Sequence, residues 1–166
     1  MNKEQTIQFL RNNHQKLEEV INRLEEKQIA EEIILTKWTV RDILAHISAW
    51  NWELIKATDE LLNDQEPWFI NEEECTEAEF NESEVRKRKS QSLDQVLKEW
   101  QDSFDELIRK IESLSSNDWE YQTAFKWGGK MPVSVSSLFD YRYKGEGHEG
   151  GHAKQIKEYF KNVILL

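Results

Sequence analysis

Apolar residues recur at steps of three and four along most of this chain, and that spacing restricts its fold more than any other feature. Ile7, Leu10, His14, Leu17, Val20, Ile21 and Leu24 share one face at the period of an α-helix, which predicts a first helix over residues 3–28. Thr39 followed three residues later by Asp42 has the form of a capping box. In such a box each side chain satisfies a backbone N–H left free at a helix start. A second helix follows, with Ile43, Ile47, Trp50, Leu54 and Leu61 on its buried stripe. Ser92 with Gln95 repeats the box and opens a third helix reaching about residue 115, striped by Leu93, Val96, Leu97, Trp100, Phe104, Leu107, Ile108 and Ile111. A fourth helix is expected over residues 134–162, with Pro132 just outside its start.

Between the second and third helices, residues 63–91 lose the period. Pro67, Trp68 and Phe69 read there as a packed loop, and residues 76–89 as a short polar helix. Residues 119–132, with Gly128 and Gly129, read as a long connection, and no strand-type alternation persists anywhere. Amphipathic helices of similar length bury their stripes against one another. The expected fold is therefore all-α, a four-helix bundle in one domain over residues 1–166. Long connections before helices three and four allow a crossover order.

With 38% apolar residues and seven Trp, the chain carries enough apolar volume for a core despite 33% charged positions, which argues against disorder. A net charge of −10 repels phosphate backbones. The basic cluster Arg86, Lys87, Arg88 and Lys89 follows Glu72, Glu73, Glu74, Glu77, Glu79, Glu82 and Glu84 and reads as a solvated mixed-charge stretch, so no nucleic-acid partner is expected. No run reaches the length of a membrane span, and residues 1–30 carry charges throughout with no apolar leader region. No membrane association is expected, and the default location is the cytoplasm. The single cysteine, Cys75, excludes an internal disulfide and fits a reducing compartment. Its neighbours Glu73, Glu74 and Glu77 disfavour a thiolate, so it is not expected to be catalytic.

His148 and His152 stand four residues apart and so project from one helix face, one turn above the other. They fall on the stripe that holds Tyr141, Ile156, Tyr159, Phe160 and Val163. Two neutral imidazoles turned toward an apolar interior need partners, because an unpaired buried polar group costs ~1–3 kcal/mol. A metal ion is such a partner. His46, one turn before Trp50 at the edge of the second helix's buried stripe, is the natural third ligand. Three imidazoles leave a divalent ion with an open position, which suits catalysis. Asp42, one turn before His46, is placed either to hold that ring's second nitrogen or to serve as the capping acid. His14 is expected to pack or hydrogen-bond without metal.

Gly145, Gly147, Gly150 and Gly151 surround the histidine pair, and each costs a helix interior up to ~1 kcal/mol relative to Ala. A close approach by a neighbouring helix or a substrate, or a break in the helix, would offset that cost. The alternative is that residues 144–151 form a loop and the helix starts later. Glu149 is a candidate proton acceptor or extra ligand, with a surface glutamate as the equal alternative. Trp50, Trp68 and Trp127 are candidates for the walls of a substrate cavity, and Tyr141 and Tyr159 for hydroxyls pointing into it; ordinary core packing is the plainer explanation.

Two stretches carry a resemblance. Trp38-Thr39-Val40-Arg41-Asp42-Ile43-Leu44-Ala45-His46-Ile47 through Trp50, and His148-Glu149-Gly150-Gly151-His152-Ala153-Lys154-Gln155-Ile156, resemble the DinB/YfiT-like superfamily of four-helix-bundle proteins. Phe80-Asn81, then Ser92-Leu93-Asp94-Gln95-Val96-Leu97 and Trp100, are similar to its DfsB-like branch, which includes a self-resistance protein. The resemblance implies a bundle of non-sequential helix order and a metal triad at His46, His148 and His152, the residues that spacing also selects. Many members of the DfsB-like branch lack the full triad, so its presence draws this chain toward the metal-binding main branch.

The resemblance further implies a metal-dependent enzyme, most simply a thiol-dependent S-transferase or a hydrolase acting on a small electrophilic molecule. The expected cofactor is one divalent ion, Zn or Ni foremost, with a low-molecular-weight thiol as co-substrate. The alternatives are a non-catalytic protein of the DfsB-like type that sequesters a small toxic molecule, and a structural bundle that forms a homodimer.

Overall fold

Reciprocal capping boxes open most of the long helices. In the computed structural model, which describes residues 1–72 and 75–161, Asn2 with Gln5 caps α1 (Lys3–Ile21), Thr39 with Asp42 caps α3 (Val40–Leu62), Thr76 with Glu79 caps α4 (Glu77–Lys87) and Ser92 with Gln95 caps α5 (Leu93–Ser113). Each cap contributes about 1 kcal/mol by pairing backbone N–H groups that the helix leaves free. The short helices α2 (Glu26–Ala30) and α6 (Ser116–Trp119) lie between these elements, and α7 (His148–Tyr159) closes the described chain. Glu73, Glu74, the expected helix end at Asn162 and the stripe position Val163 lie outside the described residues.

α1 packs chiefly on α7 and α5, while α3 packs on α5, α4 and α7. The circuit around the bundle is therefore α1, α7, α3, α5, so the successive long helices α1 and α3 face each other diagonally. Two apolar clusters fill the interior. Leu17, Ile43, Leu44, Ile47, Trp100 and Ile156 anchor one, and Leu61, Phe69, Leu107, Ile111, Val133 and Phe139 the other. Each fully buried aliphatic side chain stabilises the fold by about 1.5–3 kcal/mol. The clusters meet along α3 between Ile47 and Trp50, one turn from His46. No helix among the described residues is long and apolar enough to cross a membrane.

Three sequence expectations need correction. The first helix ends at Ile21 rather than near residue 28, and a second cap, Glu25 with Gln28, starts the separate helix α2, whose Ile29 is buried in the first cluster. Strands are present. β1 (Ile33–Leu35) pairs antiparallel with β2 (Trp38–Thr39), and β3 (Gln122–Trp127) with β4 (Met131–Ser134). Gly128 and Gly129 join β3 to β4 with φ of +51° and +74°. Two successive left-handed residues make the tight turn whose twist matches a hairpin, and glycine adopts them without a Cβ clash. Along β3, Thr123, Phe125 and Trp127 are half-buried and alternate with exposed Gln122, Ala124 and Lys126.

The third correction concerns the last helix, which starts at His148 and not at residue 134. Residues 136–139 form a 3₁₀ turn that buries Leu138 and Phe139. Tyr143 and Glu146 then exchange backbone hydrogen bonds of 2.9 and 3.0 Å around Lys144 and Gly145, whose φ values are +51° and +79°. Left-handed backbone at two successive positions cannot continue a right-handed helix.

Candidate metal centre

The break before His148 places that residue in the first turn of α7, with His152 one turn further on and both facing His46 in the second turn of α3. Glycine makes the approach to the neighbouring elements possible. A Cβ on Gly150 would stand 1.9 Å from Asn13 Oδ1, and one on Gly151 would stand 2.5 Å from the Tyr143 carbonyl oxygen. Asn13 is held in place: its Oδ1 accepts from the Gly147 N–H at 2.9 Å, and its Nδ2 donates to the Phe9 carbonyl at 2.6 Å. Close backbone contact is thus what offsets the helix-breaking tendency of these glycines.

Three ring nitrogens converge. His46 Nε2 and His148 Nε2 are 2.9 Å apart, His148 Nε2 and His152 Nε2 are 3.2 Å apart, and ligand atoms of all three residues lie within 4.8 Å of one another. Two nitrogens on one tetrahedral ion at ~2.0–2.1 Å stand about 3.3 Å apart, so the cluster has the dimensions of a divalent-metal site. The tautomers agree with that use. His152 Nδ1 lies 3.0 Å from Gln155 Oε1, an acceptor, so the proton sits on Nδ1 and Nε2 keeps its lone pair for the cluster.

Burial holds these rings neutral. Desolvation first, and then the neighbouring His152, lower the His46 pKa to about 3 against the smaller opposing effect of Asn81. Desolvation lowers His152 to about 4 against the bond to Gln155. Desolvation, His46 and His152 together push His148 well below its ordinary value. Neutral imidazoles are the form that ligates a metal.

Asp42 is the capping acid. Its carboxylate accepts from the Thr39 N–H at 3.1 Å and from Lys89 Nζ at 2.8 and 2.9 Å, and it does not serve His46, whose Nδ1 is buried with no hydrogen-bond partner among the described residues.

Glu149 is turned roughly 80° away from the histidine pair on α7. Its carboxylate sits 2.7 Å from His14 Nδ1 and accepts from Trp100 Nε1 at 2.9 Å. The fold does not bring it into the histidine cluster. His14 stacks on Phe104 at a centroid distance of 3.8 Å, and its Nε2 lies 3.2 Å from Gln101 Oε1.

The histidines form one side of a cavity of about 330 Å³. Trp50, Tyr141 and Trp127 all line it. Trp68 stands behind that wall, 6.1 Å from the Trp50 ring with its Nε1 donating to Glu53, and Tyr159 is exposed and lies away from the cavity. The fold adds Trp38, Phe69, Glu77, Asn81 and Tyr143, which sequence reasoning missed as site residues. Phe69, Glu77 and Asn81 come from the stretch where periodicity fails, so no repeating pattern marked them. Tyr143 reaches the site through the turn that replaces the start of the expected fourth helix, and its ring lies 5.0 Å from His152.

A family model described as the DinB superfamily matches residues 8–156. A search among curated proteins finds no match. Among solved structures, a mycothiol-dependent maleylpyruvate isomerase is similar at a TM-score of 0.67 and 13% identity, covering 98% of this chain and 61% of that one. A histidine-to-alanine variant of such an enzyme is similar at a TM-score of 0.63 and 13% identity, covering 99% and 60%. This chain therefore spans about three fifths of the length of the solved structures it matches. At that identity the likeness concerns the fold.

Proposed function

The chain belongs to the DinB superfamily, and from that premise we propose that it is a metal-dependent enzyme joining a low-molecular-weight thiol to a small electrophilic molecule. The observation that carries this reading is the convergence of three neutral imidazole nitrogens on one point at the wall of an apolar cavity. The thiol dependence named for the structural neighbour supports the choice of nucleophile. His46, His148 and His152 are the residues that would hold the ion, Zn or Ni foremost. Bound there, a divalent ion supplies a Lewis acid that lowers the pKa of a thiol toward neutrality.

The chain's own residues supply placement. Gln155 fixes the His152 tautomer, and the packing of Gly150 and Gly151 against Asn13 and Tyr143 seats α7 closely on α1 and on the turn before it. Aromatic walls exclude water from the electrophile, which protects it from hydrolysis and strengthens the electrostatics of the site. In the overall transfer the thiol S–H bond breaks and an S–C bond forms, while the leaving group departs with its bonding pair and takes up the proton.

The test begins with elemental analysis of protein purified without a chelating tag. Close to one divalent ion per chain is expected, lost in His46→Ala and in His152→Ala; metal retained by both variants overturns the assignment. The metal-loaded protein is then incubated with a panel of cellular thiols and a chromogenic aryl halide. Thiol-dependent turnover that falls at least about a hundredfold in His148→Ala is the expected result. Stoichiometric retention of the electrophile without turnover by any thiol would replace the transferase with a sequestering protein.

A further inference from the structure

We propose that the cavity selects a molecule with a flat apolar body and a positively charged end, the charge lying at Glu77. This rests on the reading of the cavity as the substrate site and narrows the class of electrophile it admits. Six of its lining residues are aromatic: Trp38, Trp50, Phe69, Trp127, Tyr141 and Tyr143. Indole and phenol faces carry negative quadrupoles, so they attract a cation as readily as an apolar ring.

The polar inventory points the same way. Trp50 Nε1 donates to Asn81 Oδ1 at 2.7 Å and Trp127 Nε1 donates to Ser137 Oγ at 3.2 Å. These two of the three lining indoles have therefore spent the N–H that would bind a carboxylate. No lysine or arginine is among the described residues that line the cavity. The three histidines are the ligand set for an ion, so any positive charge of the site sits at their end, and Glu77 is the acidic side chain among the described residues that line the cavity.

Glu77 stands in the first turn of α4, where partial desolvation and then the nearby Glu72 raise its pKa. A bound cation would relieve both effects. Tyr141 connects the two ends of the site: its ring is 5.9 Å from His148, and the charge of Glu77 raises its own pKa after the effect of burial. One aromatic ring bearing a short cationic arm spans this arrangement.

The experiment follows quenching of intrinsic tryptophan fluorescence by benzyltrimethylammonium and by benzyl alcohol, on metal-loaded protein. The quaternary cation has no lone pair to offer an ion, so its binding reports the cavity alone. Wild type should bind the cation about tenfold more tightly than the alcohol, and Glu77→Gln should cut that ratio about fivefold while leaving the alcohol unchanged. Glu120→Gln, which removes the same charge from an exposed position outside the cavity, should leave the ratio intact. Equal binding of the two probes by wild type, an unchanged ratio in Glu77→Gln, or an equal fall in Glu120→Gln would overturn the proposal. Binding is read without thiol or turnover, so a failure of thiol transfer leaves this result standing, and the reverse also holds.

Discussion

His152 on α7 and His14 on α1, which packs against α7, are buried to the same degree, 5% and 7% exposed, yet their surroundings favour opposite charge states. His152 meets an acceptor at Nδ1 and other imidazoles at Nε2, so desolvation prevails and the ring stays neutral. His14 meets an acceptor at both nitrogens, the Glu149 carboxylate and Gln101 Oε1. The Gln101 amide nitrogen donates to Asp105, which sets that side chain's orientation. Both ring nitrogens of His14 therefore carry hydrogen, and although desolvation is the largest single influence, Glu149 and Gln101 together raise its pKa. Burial does not by itself decide what a histidine does. A carboxylate within hydrogen-bond reach converts it into half of an ion pair, and the absence of one leaves a lone pair free for a metal.

The largest test of this contrast is Glu149→Ala. It strands the buried His14 cation and the Trp100 N–H, and should destabilise the protein by about 3–5 kcal/mol in urea denaturation. His152→Ala in chelated protein should cost only about 1 kcal/mol, chiefly the bond to Gln155, because the ring borders an existing cavity. Equal costs would break the contrast. Next in size is Gly150→Ala. The added Cβ collides with Asn13, which cannot move without releasing the Gly147 N–H and the Phe9 carbonyl, so a loss of about 1–3 kcal/mol is expected. Metal content should fall with it, because the collision displaces α7, whereas unchanged metal content would show that α7 is positioned elsewhere.

The smallest effect is the most specific. His14 has a raised folded pKa, so its contribution is complete below the unfolded value of 6.5 and is lost as pH rises through the folded value. The triad behaves in the opposite sense: its imidazoles protonate near 6.5 when unfolded but only near 4 at His152 and near 3 at His46 when folded, so stability falls as pH drops from 6.5 toward 3. Chelated wild type should show a stability maximum near neutrality, and His14→Gln should lose the alkaline fall while keeping the acid one. An alkaline arm surviving in His14→Gln would remove His14 as its source.

Much of the centre was legible because its signals are local. The spacing of His148 and His152, and the position of His46 on the stripe of a capped helix, follow from one helical period and short-range cap chemistry. The hairpin also carries a local signal. Gly128-Gly129 between the alternating Gln122–Trp127 and the strand beyond it is a turn signal, but it lies in a short segment flanked by strong helical patterns. The start of the last helix was not legible, since Tyr141, His148 and His152 fit one helical stripe whether or not residues 144 and 145 break it.

The sequence by itself determined the helical stripes, the caps at Thr39 and Ser92 and the identity of three converging histidines, because each depends on neighbours within a turn or two. Only the tertiary structure decided that Glu149 turns to His14, that Asp42 serves Lys89, and that Glu77 and Asn81 reach the cavity. The partner of Glu149 lies 135 residues away along the chain and that of Asp42 lies 47 away. Charge state and burial follow from such distant partners, and no local period encodes them.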